Sequence, residues 1–264
     1  MYLFSDLCYR LFWLSGYRKD VIVTNLKNSF PEKSEEEIIS LAKDFYHYLC
    51  DLILEVLKTL TMTEQEAREH CIYHQPEWLD KLYEEKKSII IVTGHYGNWE
   101  WCGPAFSLNS QYQLNVIYRP LSNPYFEKMM TRARTKFNTR ITPAPQTLRD
   151  MVANRNKITA TAFVADQAAS TAHAYWTTFL NQDTNVYNGP EKLAVKFNYP
   201  VVYMNLRRIK RGYYELTPDL LFENPSQTKE GEILEAFTKH LEKEIIRDPA
   251  IWLWSHKRWK HKRT

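Results

Sequence analysis

Three short runs of β-branched and apolar residues, Ser88–Thr93, Leu114–Tyr118 and Ile158–Val164, restrict the folds open to this chain more than any other feature. Each reads as a strand buried on both faces. Helical stretches separate them, Asn123-Pro124 to about Phe137 and Gln146 to about Asn154, with a short strand expected at Arg140–Thr142. Further on, Gly189-Pro190 opens a helix to Phe197 and Pro200–Leu206 reads as a strand. Arg211–Leu216 pairs with that strand as a hairpin around Gly212, and a long amphipathic helix runs from about Gly231 to Ile246. Strands alternating with helices mean βαβ units. The expected fold is α/β, with a central, mostly parallel (mixed) sheet flanked by helices.

A helical section precedes this core. Ser34 and Glu37 form a capping box, behind which Ile38, Leu41, Ala42, Phe45, Leu49 and Leu52 trace one apolar face. Thr63 and Glu66 repeat the signature, and Pro76 opens a helix through Trp78, Leu79 and Leu82. No repeat or linker stands out. The expectation is one domain over residues 1–264: a helical section to residue 75, then an α/β catalytic core ending in a basic C-terminal helix.

Met1 to Gly16 is apolar, but Asp6 and Arg10 interrupt it. A bilayer span needs roughly 20 mostly apolar residues, and the marks of a cleaved signal peptide are missing. Leu3, Leu7, Leu11 and Leu14 recur at helical spacing, which suits packing on the protein's own core or lying on a membrane. Four scattered cysteines without C-x-x-C spacing suggest neither a metal site nor a disulfide framework, and a reducing, cytosol-facing compartment. Nothing in the sequence calls for a cofactor.

The chemistry concentrates in Thr93-Gly-His-Tyr-Gly-Asn-Trp-Glu-Trp101. A neutral imidazole can act as a general base if a partner fixes its tautomer, and Glu100 is the candidate partner of His95. In a continuous helix the two would lie about 140° apart, so the pairing requires His95 in a loop that folds back over the first helical turn. Spacing alone favours an incidental pair at a strand–loop–helix junction. Topology changes that balance. Strands joined by crossovers run parallel, so His95, Arg119 and Asp166, each just past a strand, arrive at one edge of the sheet. Arg119 could bind a phosphate bidentately or pair with Asp166.

These residues resemble the late acyltransferases of bacterial lipid A biosynthesis. Tyr17-Arg18, Asn25-Leu26 and Phe30-Pro31 look like that family's N-terminal signature, and Gly94-His95 through Glu100 matches its His, four residues, Glu motif. Tyr118-Arg119-Pro120, Asp166-Gln167, the stretch from Phe179 to Ala194 with Gly189, and Trp254-Ser-His256-Lys-Arg258 are similar to its later blocks. The resemblance implies transfer of an acyl group from acyl-acyl-carrier-protein to a hydroxyl of a phosphorylated glucosamine lipid. His95 would be the base, oriented by Glu100. Arg119, Asp166, Gln167, Gly189, His256 and Arg258 would bind substrate, with His256 and Arg258 near lipid phosphates. The implied setting is the cytoplasmic face of the bacterial inner membrane, held peripherally or by an N-terminal helix not contained here.

Trp252 to Lys262 interleaves three tryptophans with Lys257, Arg258, Lys260 and Lys262. Such a segment suits an anionic membrane surface, and equally a C-terminal helix whose tryptophans pack inward. Nucleic acid is not an expected partner: no recognised binding motif occurs, and the net charge is only +4. The alternatives are an acyltransferase on another glycolipid or a lysophospholipid, and a thioesterase or lipid hydrolase on the same scaffold, though no G-x-S-x-G elbow occurs.

Overall fold

The computed structural model describes residues 1–169 and 174–263. Helices α1 (Tyr2–Ser15) and α2 (Lys19–Ser29) open the chain, joined through Gly16 in the left-handed region. Helix α3 (Glu35–Lys58) starts at the Ser34–Glu37 capping box and buries Ile38, Ala42, Phe45, Leu49 and Leu52, as its periodicity predicts. Thr63 and Glu66 cap α4 (Glu64–His70) in the same way. Next comes β1 (Cys71–Tyr73), a strand inside the section expected to be helical. Three residues are too few to show a period; β1 is a strand because it pairs in parallel with β9 (Tyr213–Phe222).

The core then alternates as expected: α5 (Glu77–Glu84), β2 (Ile89–Thr93), α6 (Trp99–Asn109), β3 (Gln113–Tyr118), α7 (Pro124–Thr135), β4 (Arg140–Pro143), α8 (Thr147–Ala153) and β5 (Thr159–Val164). A separate hairpin, β6 (Tyr175–Phe179) with β7 (Gln182–Val186), precedes α9 (Gly189–Phe197), β8 (Val201–Lys210), β9 and α10 (Glu232–Arg247). Seven strands form the main sheet in the order β1-β9-β8-β2-β5-β3-β4. Only the β8–β9 hairpin is antiparallel. From β2 the chain steps out to β3 and β4, then returns through β5 to β8. With right-handed crossovers, α6 and α7 cover one face and α8 and α9 the other. The reversal lies between β2 and β5, a topological switch point of the kind where open α/β sheets bind ligands.

On α1 the pattern comes out opposite to a buried leucine stripe. Ser5 is fully buried and hydrogen-bonds Asp51 of α3, while Tyr9, Phe12 and Trp13 pack on the core. Leu3, Leu7, Leu11 and Leu14 face outward, Leu3 89% exposed. Among the described residues no helix is long and apolar enough to cross a membrane.

The expected basic C-terminal helix does not form. After a short 3-10 turn at Pro249–Ile251 the chain runs through successive turns, and Trp252, Trp254, Trp259 and Arg258 are all buried. At ~100° per residue these tryptophans would point in different directions around a helix. The irregular path lets Trp252 stack edge-on against Trp254 and meet both Phe179 and Trp259.

Candidate active site

The β2–β5 register places the central pair of side chains. Ile89 lies opposite Ala160 and Thr93 opposite Val164, so two residues further on His95 meets Asp166. His95 Nδ1 lies 2.5 Å from Asp166 Oδ1, and the His95 backbone N–H donates to Oδ2 at 2.9 Å. Trp252 Nε1 donates to the same Oδ2 at 2.8 Å. Asp166 is 4% exposed. Burial alone would raise its carboxyl, but the His95 charge and the hydrogen bonds from His95 and Trp252 hold it down at about 2. An ionised Asp166 keeps a proton on Nδ1 and leaves Nε2 as the basic nitrogen. The Gln167 amide lies 3.4 Å from Nε2, and the Trp99 ring makes an edge-type contact with the imidazole.

The loop carrying His95 is fastened on several sides. Gly97 takes a left-handed backbone (φ 53°), and a Cβ there would stand 2.6 Å from Leu206. Its N–H donates to the Ile251 carbonyl and its own carbonyl accepts from Tyr48. Tyr96 donates to the Glu244 carbonyl, and Asn98 caps α6 while donating to the buried Glu55.

Glu100 is not the partner of His95. Both its oxygens accept from Arg134 of α7, at 2.6 and 2.9 Å. Burial would lower the Arg134 guanidinium, but its bonds to Glu100 outweigh that and raise it. Helical geometry explains the separation: Glu100 lies in the first turn of α6 and points toward α7, away from the loop. Arg134 escaped the sequence reading because a cation on an amphipathic helix looks like any solvated charge. Asp166 in turn makes its bonds to His95 and Trp252 rather than to Arg119, which is exposed at the site's rim.

His95 opens onto a cavity of about 420 Å³ that Glu100, Arg119, Arg134 and Gln167 also line. Its walls are mostly apolar. Alternate residues of the strands, Ile91 and Thr93, Leu114 and Val116, Ala162 and Val164, face α6 across it. Gly189 only begins α9, where a Cβ would collide with the Tyr187 ring, a cavity residue. His256 and Arg258 lie within the electrostatic reach of Asp166, His256 half-buried and Arg258 buried. The Ala168 N–H lies 3.5 Å from His256 Nε2, and burial pushes that imidazole down to about 4 despite the pull of Asp166. Arg258, 2% exposed, donates to Thr184, and burial lowers it to about 10.

An imidazole held by a buried carboxylate, at the mouth of a mostly apolar cavity on an α/β sheet, is the equipment of an enzyme whose substrate has an apolar part. The chain belongs to the bacterial lipid A biosynthesis acyltransferase family, whose model matches residues 3–261. It is 24% identical to a lipid A biosynthesis palmitoleoyltransferase of Escherichia coli (strain K12) over 250 residues, 92% of this chain and 79% of that protein. A lipid A biosynthesis acyltransferase of Shigella flexneri matches with the same identity and coverage. The protein is therefore an acyltransferase, and its acceptor is a lipid.

Proposed function

We propose that this enzyme transfers a fatty acyl group from acyl-acyl-carrier-protein to a hydroxyl of a phosphorylated lipid A precursor, with His95 as general base and Asp166 as its orienting carboxylate. The observation that carries this reading is the 2.5 Å contact of His95 Nδ1 with Asp166 Oδ1, beside the apolar cavity that His95 lines. Nε2 removes the proton of the acceptor hydroxyl as its oxygen attacks the thioester carbon. The tetrahedral adduct then collapses, the C–S bond breaks, and the leaving thiolate recovers the proton from the imidazolium. Asp166 stabilises the imidazolium between those two events. The acyl chain occupies the cavity, where its apolar walls remove it from water.

Arg119, exposed at the rim, is the residue we assign to the acceptor's phosphate. Gln167 offers an amide donor beside the base. Glu100 and Arg134 act as a pair that shapes the cavity wall. The outward leucines of α1 support contact with a membrane surface, in keeping with a place on the cytoplasmic face of the inner membrane.

The test is direct. Purified protein receives acyl-acyl-carrier-protein and tetra-acylated disaccharide lipid, and mass spectrometry follows the lipids for wild type and His95→Ala. Acylated lipid from wild type alone supports the reading. Free fatty acid without acylated lipid, again only from wild type, would replace it with the hydrolase.

A further inference from the structure

Helix α6 supplies one wall of the cavity, and the positions that line it include Trp99, Gly103 and Phe106. Steps of four and three residues put these three on a single helix face. Trp99 stands beside the His95 ring, with centroids 4.9 Å apart. Phe106 is buried two turns further along. The strand opposite runs the same length: Tyr118 of β3 is at the mouth beside Arg119, and Leu114 lies ~13 Å deeper at 3.3 Å per residue. Gly103 therefore sits about midway between the reacting end and the closed end.

Glycine is disfavoured in the interior of a helix relative to alanine. Its usual justification is a neighbour too close for a Cβ. Gly94 has that justification, since a Cβ would fall 2.6 Å from Leu241. Gly103 precedes Pro104, whose ring crowds a Cβ on the residue before it, but beyond its chain neighbours and its own helix a Cβ at 103 meets no atom within 4 Å. The absent side chain leaves open space, and that space belongs to the cavity.

We infer that Gly103 determines which acyl chain lengths the enzyme accepts, by keeping the cavity open between its mouth and the deep floor at Phe106 and Leu114. A side chain at 103 would fill the passage and cut off the deeper part, leaving room only for shorter chains. The inference rests on the proposal that the cavity holds the acyl chain.

The experiment compares wild type, Gly103→Ala and Gly103→Leu on a series of acyl-acyl-carrier-protein donors of increasing chain length, each with the same lipid acceptor. For Gly103→Leu the expected result is a fall in kcat/KM of at least ~10-fold on the longest chain that wild type uses, while the shortest chains keep roughly wild-type values. Gly103→Ala, a smaller group before Pro104, should show a smaller shift of the same sign. An unchanged length profile in both variants, or an equal fall at every length, would overturn the inference. A wild type that uses none of the donors would instead remove the functional reading on which it rests.

Discussion

Glu100 gives both carboxylate oxygens to Arg134, across the gap between α6 and α7, while His95 turns to Asp166. The acid five residues after His95 therefore belongs to a second ion pair, and this changes what each substitution should do.

Loss of the base comes first. His95→Ala should lower acyl transfer by ~100-fold or more with Tm little changed, measured as turnover on acyl-acyl-carrier-protein and lipid. Asp166→Asn should come close to that loss, since an amide can hold the ring in the wrong tautomer and cannot support its charge. Near-normal turnover of Asp166→Asn would return the orienting role to Glu100.

The Glu100–Arg134 pair calls for a double-mutant cycle. Glu100→Gln and Arg134→Met should each weaken stability and activity, with the double variant little worse than either. The expected coupling in chemical denaturation is ~1–3 kcal/mol. Additive losses would show that the two act separately.

Arg119→Ala should raise KM for the phosphorylated acceptor by roughly tenfold and leave kcat within a few-fold. The comparison that decides it is the same acceptor without its phosphate, on which wild type and variant should converge.

Glu244 gives a pH prediction. Burial raises its carboxyl to about 7, against the hydrogen bonds from Tyr203 and the Leu206 backbone. An acid whose folded value lies above its unfolded one contributes most below the unfolded value and loses that contribution as pH rises toward the folded one. Wild type should thus lose up to ~3 kcal/mol between about pH 4.5 and 7 through this group. Glu244→Gln should remove that part of the slope, so the gap in denaturation midpoint between variant and wild type should shift in the variant's favour as pH rises. A constant gap from pH 5 to 8 would exclude it.

Replacing Leu3, Leu7, Leu11 and Leu14 together by Ser should reduce sedimentation with anionic phospholipid vesicles by about tenfold or more, because the lost apolar area faces outward. Tm should hold, since Ser5, Tyr9, Phe12 and Trp13 keep α1 on the core.

The strands and long helices were legible because burial leaves a period or an unbroken apolar run. The shared edge of His95, Arg119 and Asp166 followed from the parallel sense of the strands. The pairing of His95 was not legible, because it depends on β5 inserting between β2 and β3, and no local pattern records strand order. Nor was the tail: Trp252, Trp254 and Trp259 pack in several directions at once, which leaves no period to read. The Thr- and Asn-rich hairpin β6–β7 lacks the apolar run that marked the other strands.

The bonds around Asp166 also carry a consequence for the order of folding. It meets His95 across 71 residues and Trp252 across 86. Helices and hairpins close early, whereas contacts this distant in sequence wait on the whole topology. A partly folded molecule can hold a cavity wall or a capped helix, but its His95 ring is not yet fixed by Asp166. The His95–Asp166–Trp252 arrangement therefore arrives only with the finished fold.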